Sequence, residues 1–182
     1  MNLFLTLLGG LVLLIDSKKK KKTKKENDKE EIDMKQFERY KEMGADKKAS
    51  MRVKDKLMSC GGTVRIKLLN GDSCNIILDE DKTGIRGDKL NNYSVRYGLE
   101  VFDVFVDLLK QKNGRALKGT GRGKENKVGY GKCGLDTVVG YVAHEYSGKR
   151  LGDSTYDPIF VLAAILDWAN IAKNCRGYIE LI

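Results

Sequence analysis

The sequence predicts a small α+β domain with a β-hairpin and three to four helices, preceded by an N-terminal hydrophobic anchor segment. Three observations predict this class. Asn70-Gly71 stands between two β-rich runs, residues 97–112 carry an apolar stripe at helical spacing, and residues 159–173 are almost all apolar. Hydrophobic residues occupy 41% of the 182 positions, which is enough for one modest core and excludes a wholly disordered chain.

Residues 1–15 are a candidate membrane anchor. The run from Leu3 to Ile15 holds only apolar or small residues and is hydrophobic on all sides. As a helix it would be about 20 Å long, whereas the hydrocarbon core of a bilayer is about 30 Å thick. No basic residue precedes the run and no cleavage motif follows it, which argues against a secretory signal. The alternative is a buried N-terminal helix or strand of a soluble protein.

A cluster of lysines directly after this run favours a single-pass anchor. Consecutive lysines resist translocation, so the bulk of the chain is expected to lie in the cytoplasm. The same side chains would contact the anionic membrane surface. The cluster consists of Lys18, Lys19, Lys20, Lys21 and Lys22.

The positive charge is not confined to the N-terminus. The formal net charge is +9, and residues 1–31 account for +3 of it, with eight lysines and five acidic residues. The remaining 151 residues therefore carry +6. Residues 16–33 switch from a basic to an acidic block and predict a charged disordered linker, and 34–182 predict a single basic α+β domain.

Local patterns predict the elements of the first half of this domain. Asn70-Gly71 is a strong hairpin signal, and Gly61-Gly62 is expected to end a preceding helix. In chain order the predictions are one or two exposed helices over 34–58, strands over 63–69 and 73–78, a loop over 79–94 and a helix over 97–112.

The second half contains the sharpest helix boundary. Asp157 is a good N-cap and Pro158 a good first helical residue for the apolar run that follows. In chain order the predictions are a glycine-rich loop over 113–134, a helix over 135–146, a central core helix over 159–173 and an edge strand over 176–182.

Residues 113–134, called the cationic segment below, are the most unusual stretch of the sequence. The segment holds seven glycines and six cations against one acidic residue, Glu125. Glycines permit close backbone approach to a ligand, so the pattern predicts a mobile cationic loop that binds a polyanion, nucleic acid first. A solvated loop without a ligand is the alternative. The predicted anion-binding residues are Arg115, Lys118, Arg122, Lys124, Lys127 and Lys132.

Specific phosphate-binding motifs are absent from the cationic segment. Gly129 to Gly134 matches GxGxxG, but a polar loop rather than a strand precedes it, which argues against a dinucleotide fold. Gly123-Lys124 is followed by Glu, so it is not a Walker A loop. No cofactor is therefore expected.

A cysteine hydrolase is one alternative function. Cys133 precedes a hydrophobic helix and lies beside Lys132, a setting that lowers a thiol pKa. Over fewer than ten residues, the run Cys-Gly-Leu-Asp-Thr-Val-Val resembles the nucleophile turn of papain-like and peptidoglycan-cleaving cysteine hydrolases. The resemblance would make Cys133 the nucleophile. His144, the single histidine, would lie about 16 Å away along an unbroken helix.

A metal-dependent nuclease is a second enzymatic alternative, and a protein-interaction scaffold is a further one. Glu80-Asp81-Lys82 follows a strand and fits half of such a nuclease site, with Asp72 as the upstream carboxylate. Glu100, Asp103 and Asp107 share a helix face, but a solvated acidic face explains them better than an ion site.

The cysteines favour a reducing compartment. Cys60, Cys74, Cys133 and Cys175 form no CxxC pair, and we expect four reduced thiols rather than a disulfide framework. A single histidine excludes a multi-histidine metal centre within the chain, and no metal site is predicted.

Overall fold

The computed structural model describes residues 47–182. The predicted anchor, the linker and the first part of the 34–58 helical region lie outside them. The described elements are α1 (Ala49–Ser59), β1 (Thr63–Lys67), β2 (Ser73–Leu78), β3 (Gly84–Gly87), β4 (Tyr97–Gly98), α2 (Val101–Gln111), β5 (Arg115–Leu117), a 3₁₀ turn (Gly131–Cys133), α3 (Val138–Glu145), α4 (Ile159–Trp168), β6 (Ala172–Asn174) and β7 (Tyr178–Leu181). Helices and antiparallel sheets confirm the predicted α+β class. None of the helices in this part of the chain is long and apolar enough to cross a membrane.

The first sheet has the order β1-β2-β3-β4 and is antiparallel throughout. Its β1–β2 hairpin is confirmed, with Lys67 opposite Ser73. The connection is a five-residue turn that is closed by a 2.8 Å hydrogen bond from Leu68 N to Asp72 O. Gly71 takes φ +89° in this turn, a left-handed conformation that glycine adopts without steric strain.

Two strands of this sheet were not predicted. The expected loop over 79–94 contains β3, and the expected start of the 97–112 helix forms β4, where Tyr97 pairs with Ile85. Both strands are too short to show an alternating pattern, and pairing with distant residues decides their conformation. Consequently α2 begins only at Val101.

The second sheet has the order β5-β7-β6. Strand β7, predicted at a sheet edge, is its central strand, because Ile179 lies between Ala116 and Asn174. Strand β6 begins within the predicted 159–173 helix, at Ala172, and ends one residue beyond it. That helix ends at Trp168, and Asn170 takes a left-handed φ of +56°, which an α-helix does not accommodate.

The main core lies between the sheets and the helices. Helix α4 contacts both β6 and β1, so it connects the two sheets. Seven of its ten residues are buried, which explains why its sequence is apolar on every side. The largest fully buried side chains include Phe102, Phe105, Leu162, Ile165 and Ile171.

Helix α3 is shorter than predicted and begins at Val138. Thr137 is its N-cap: the Thr137 hydroxyl accepts a 3.4 Å hydrogen bond from Gly140 N and donates one of 2.7 Å to Gly134 O. One side of α3 faces a small apolar cluster that is separate from the main core. The cluster consists of Val128, Cys133, Val139 and Ala143.

Candidate anion-binding site

The cationic segment, which was predicted as a loop throughout, contains β5 and the 3₁₀ turn and is organised around one buried amide. The Asn126 side chain is buried. Its Oδ1 accepts a 2.8 Å hydrogen bond from Lys132 N, and its Nδ2 donates to Arg122 O. The Asn126 side chain therefore links the backbone at Arg122 to the backbone at Lys132. All the polar atoms of that side chain have partners.

The glycines of the segment allow backbones to pack closely. A Cβ on Gly119, which has φ +71°, would lie 2.4 Å from Lys132 O. On α3, a Cβ on Gly140 would lie 2.1 Å from Gly134 O. Thr120 N donates to Lys132 O over 2.9 Å, so these close approaches also carry backbone hydrogen bonds. The high glycine content thus indicates dense packing in this segment.

The second half of the segment, at Val128, is hydrogen-bonded to the 150–153 turn. Val128 N donates to Asp153 O over 3.0 Å, and Gly152 N donates to Val128 O over 2.9 Å. The Val128 side chain lies in the small apolar cluster with Cys133. Val128 and Cys133 therefore attach the segment to α3 through apolar contacts.

The six predicted anion-binding cations do not converge on one point. Lys118 and Arg122 lie together on a groove, whereas Lys124 and Lys132 are exposed elsewhere on the segment. The Arg115 guanidinium lies 3.6 Å from the centre of the Tyr178 ring, and Lys127 Nζ donates to Ser154 Oγ over 2.5 Å. None of the six forms an ion pair with a carboxylate within residues 47–182.

The groove has a volume of about 620 Å³ and lies between the hairpin turn, the start of the cationic segment and the N-terminus of α4. Its cationic residues are Lys89, Lys118 and Arg122. Sequence analysis missed Lys89, Asn174 and Phe160 as groove residues. No local pattern indicates them, because they are brought together only by the fold. The remaining lining residues used below are Leu69, Asn70, Asp72 and Asp157.

Lys118 is a half-buried cation in the wall of this groove. Its Nζ donates to Asn174 Oδ1 over 2.5 Å and to Cys175 O over 2.6 Å. Burial lowers the pKa of Lys118, and charge interactions with Cys175 and Asp167 oppose that shift. An ammonium group has three N–H donors. The third has no partner among the described residues and remains for a ligand.

The two acidic residues of the groove have partners of their own. Asp157 accepts a 3.2 Å hydrogen bond from Ile159 N and one of 3.4 Å from Gly121 N, although the N-cap position of α4 is Pro158 rather than the predicted Asp157. Asp72 accepts a 3.0 Å bond from Asn70 Nδ2 and lies 3.8 Å from Lys89 Nζ. Neither carboxylate forms an ion pair with Lys118 or Arg122, because no carboxylate oxygen lies within 4 Å of their side-chain nitrogens.

The structure does not favour a thiol nucleophile at Cys133. The side chain is fully buried in the small apolar cluster, and burial raises the pKa of its thiol, with the charge of Asp157 adding to the shift. The predicted lowering of that pKa is therefore wrong. His144 lies on α3 with its Nδ1 2.8 Å from Lys149 O. The His144 imidazole is thus hydrogen-bonded to the backbone and not to Cys133.

The carboxylates of the nuclease hypothesis are far apart. Asp72 precedes β2, whereas Glu80 and Lys82 follow it. A strand of six residues separates its ends by about 20 Å, so these groups do not share a metal ion. Within the described residues no cluster of His, Cys, Asp and Glu could hold a metal. Of the acidic row on α2, Asp103 accepts hydrogen bonds from Ser50 N and Oγ, over 2.9 Å and 2.7 Å, and so caps α1.

Comparison with known proteins adds no relative. No protein-family model, curated protein or solved structure matches the chain. The contacts, burial and charges of residues 47–182 therefore carry the functional proposal.

Proposed function

We propose that the chain is a membrane-tethered cytoplasmic module whose basic domain binds nucleic acid through the cationic segment. One observation carries the proposal: six cations on a single folded segment have no ion-pair partner among the described residues. Phosphate backbones attract such groups strongly, because binding releases the counterions that are condensed on the nucleic acid.

The distribution of the cations favours an extended anion over a compact one. They are spread over Arg115 to Lys132 rather than converging on a single atom. Tyr130 is exposed between Lys127 and Lys132, where an aromatic ring can stack on a base. No base-reading motif accompanies these features, so the binding is proposed to be independent of sequence.

The tether is part of the same proposal and depends on residues 1–22. The apolar run would enter the bilayer, and Lys18 to Lys22 would lie at its cytoplasmic surface. The basic domain would then bind its partner close to the membrane.

The proposal is tested by measuring the binding of the full chain to labelled single-stranded and duplex DNA, and to RNA, over a series of salt concentrations. We expect the logarithm of the binding constant to fall linearly with the logarithm of salt. The double variant Lys124→Ala/Lys132→Ala removes two exposed cations and should reduce the slope for a single strand by about 1.4.

The matched control is Lys110→Ala/Lys112→Ala, which removes the same charge from exposed positions at the end of α2. It should leave the slope unchanged. The proposal is wrong if the full chain binds no nucleic acid at low salt, or if both double variants weaken binding equally.

A further inference from the structure

We infer that the groove beside the cationic segment is a subsite for one unstacked nucleotide, with the phosphate on Lys118 and Arg122 and the base on Phe160. This inference rests on the proposed function and names the part of the ligand that enters the groove. Three features carry it: a half-buried cation without an ion pair, an exposed aromatic ring in the first turn of α4, and a cavity of matching size.

Lys118 supplies the strongest argument for an anion. Removing an ammonium group from water is unfavourable unless its charge is balanced, and the nearest partners of Lys118 are a neutral amide and a neutral carbonyl. These two acceptors fix Nζ at the groove wall and leave one N–H donor free. A phosphate oxygen would complete the set of acceptors and form the direct ion pair that Lys118 lacks among residues 47–182.

Arg122 extends the anion site along the groove. Its backbone is held by the hydrogen bond between Arg122 N and Thr120 Oγ1, at 3.1 Å, and by the bond from Asn126 Nδ2 to Arg122 O. The guanidinium is exposed and has no acidic partner within residues 47–182. Asp72 pairs with Lys89, and Asp157 accepts hydrogen bonds from backbone amides, so neither carboxylate pairs with Lys118 or Arg122.

Phe160 supplies the surface for a base. It lies in the first turn of α4 and is 37% exposed, although its neighbours Ile159 and Val161 are buried. Leu69, on the hairpin turn, is 57% exposed and lines the same groove. An aromatic ring and an aliphatic side chain on two elements of one groove offer both faces of a planar base an apolar contact.

The size of the groove limits the ligand. Small-molecule sites have volumes of about 300–1,000 Å³, and this groove, at about 620 Å³, lies within that range. A base inside a duplex is stacked on both sides and does not reach such a site. The ligand class is therefore a nucleotide with a free base, either within a single strand or as a free mononucleotide.

The test compares Phe160→Leu with Phe160→Trp in the full chain. Leucine keeps an apolar side chain on α4 but removes the ring, whereas tryptophan keeps a ring. We expect Phe160→Leu to weaken binding of a 5′-phosphorylated single-stranded oligo(dT) by about tenfold, and Phe160→Trp to retain it. Duplex binding and its salt slope should be the same in both variants. Equal losses for single strand and duplex, or no loss for either, would overturn the inference.

Lys118→Gln tests the phosphate half of the site. Glutamine keeps a donor for Asn174 but carries no charge, so the preference for a 5′-phosphorylated over a 5′-hydroxyl oligonucleotide, or the affinity for thymidine monophosphate, should fall at least tenfold. Displacement of the bound oligonucleotide by thymidine monophosphate would identify a free nucleotide as the ligand, and its failure to displace would identify a strand.

The two proposals fail in different ways. If Lys124→Ala/Lys132→Ala reduces the salt slope while Phe160→Leu and Lys118→Gln change nothing, the cationic segment binds nucleic acid and the groove inference is wrong. If thymidine monophosphate binds in a Lys118-dependent manner but no strand binds at low salt, the groove inference holds and the proposed function is wrong.

Discussion

The cationic segment and the β3–β4 side of the first sheet both carry positive charges, but these charges have different partners in the two regions. In the sheet, Arg96 Nε lies 2.6 Å from Asp79 Oδ2, and Arg96 Nη2 lies 3.2 Å from Asp81 Oδ2. Arg86 Nε lies 3.3 Å from Asp79 Oδ1. In the cationic segment, hydrogen bonds to a neutral side chain, Asn126, hold the backbone.

The difference shows that the number of cations on a surface does not tell how many of them form ion pairs within the protein. The guanidinium groups of the sheet are engaged in fixing the chain between β2 and β4, so they offer little to a ligand. The cationic segment is fixed by glycine packing and by an amide, so its cations form no ion pairs within residues 47–182. Net charge alone does not distinguish the two regions.

The largest expected effect tests whether glycine packing holds the cationic segment. Gly140→Ala places a methyl group 2.1 Å from Gly134 O and 2.3 Å from Cys133 O. Both neighbours are backbone atoms, so we expect the free energy of unfolding to fall by about 3 kcal/mol or more. Denaturant unfolding measures it.

Gly148→Ala is the control for this substitution. Gly148 has φ +63° but no neighbour within 4 Å of an added Cβ, so only the left-handed conformation is penalised, by about 1 kcal/mol. Equal losses for the two variants would contradict the packing argument.

A smaller effect is expected when the organising amide is changed. Asn126→Asp keeps an acceptor for Lys132 N but removes the donor to Arg122 O and buries a carboxylate. We expect the free energy of unfolding to fall by about 2 kcal/mol, because the donor to Arg122 O is lost, and denaturant unfolding measures it. Unchanged nucleic-acid affinity in this variant would show that the shape of the segment does not matter for binding.

The smallest effect concerns Asp81, which pairs with Arg96 on the first sheet, and its dependence on pH. Hydrogen bonds from the Thr83 amide and hydroxyl, and then the charge of Arg96, hold the pKa of Asp81 below its ordinary value of 3.8. The stabilisation is therefore fully present above pH 3.8 and is lost as the pH falls towards the lowered pKa of the folded state. In Thr83→Ala, an NMR titration should find the Asp81 pKa closer to 3.8, with nucleic-acid affinity unchanged.

The sequence predicted those parts of the fold that depend on neighbouring residues. The hairpin follows from Asn70-Gly71, and the start of α4 follows from Asp157 and Pro158, because the turn and the cap act within a few residues. Strands β3, β4 and β6 have two to four residues each, and distant partners determine them. Short strands of this kind leave no periodic signal.

The candidate site was predictable only in part, for the same reason. Composition singled out Lys118 and Arg122 together with four other cations, but nothing in the sequence separates these two from the rest. Lys89 lies in a region predicted as a loop, and Asn174 directly follows the predicted 159–173 helix, where no element was predicted. The groove exists because five separate stretches of chain meet, which local patterns do not encode.

Strand β5 lies near the start of the cationic segment, with a consequence for the entropy of binding. Ala116 pairs with Ile179 in the second sheet, and two residues later Lys118 begins the bonded framework that Asn126 completes. A ligand of this segment therefore has few backbone torsions to order. Ordering a disordered loop on binding would cost about 1–2 kcal/mol of conformational entropy per residue. In this segment the backbone is ordered during folding, so that entropy is not lost again on binding.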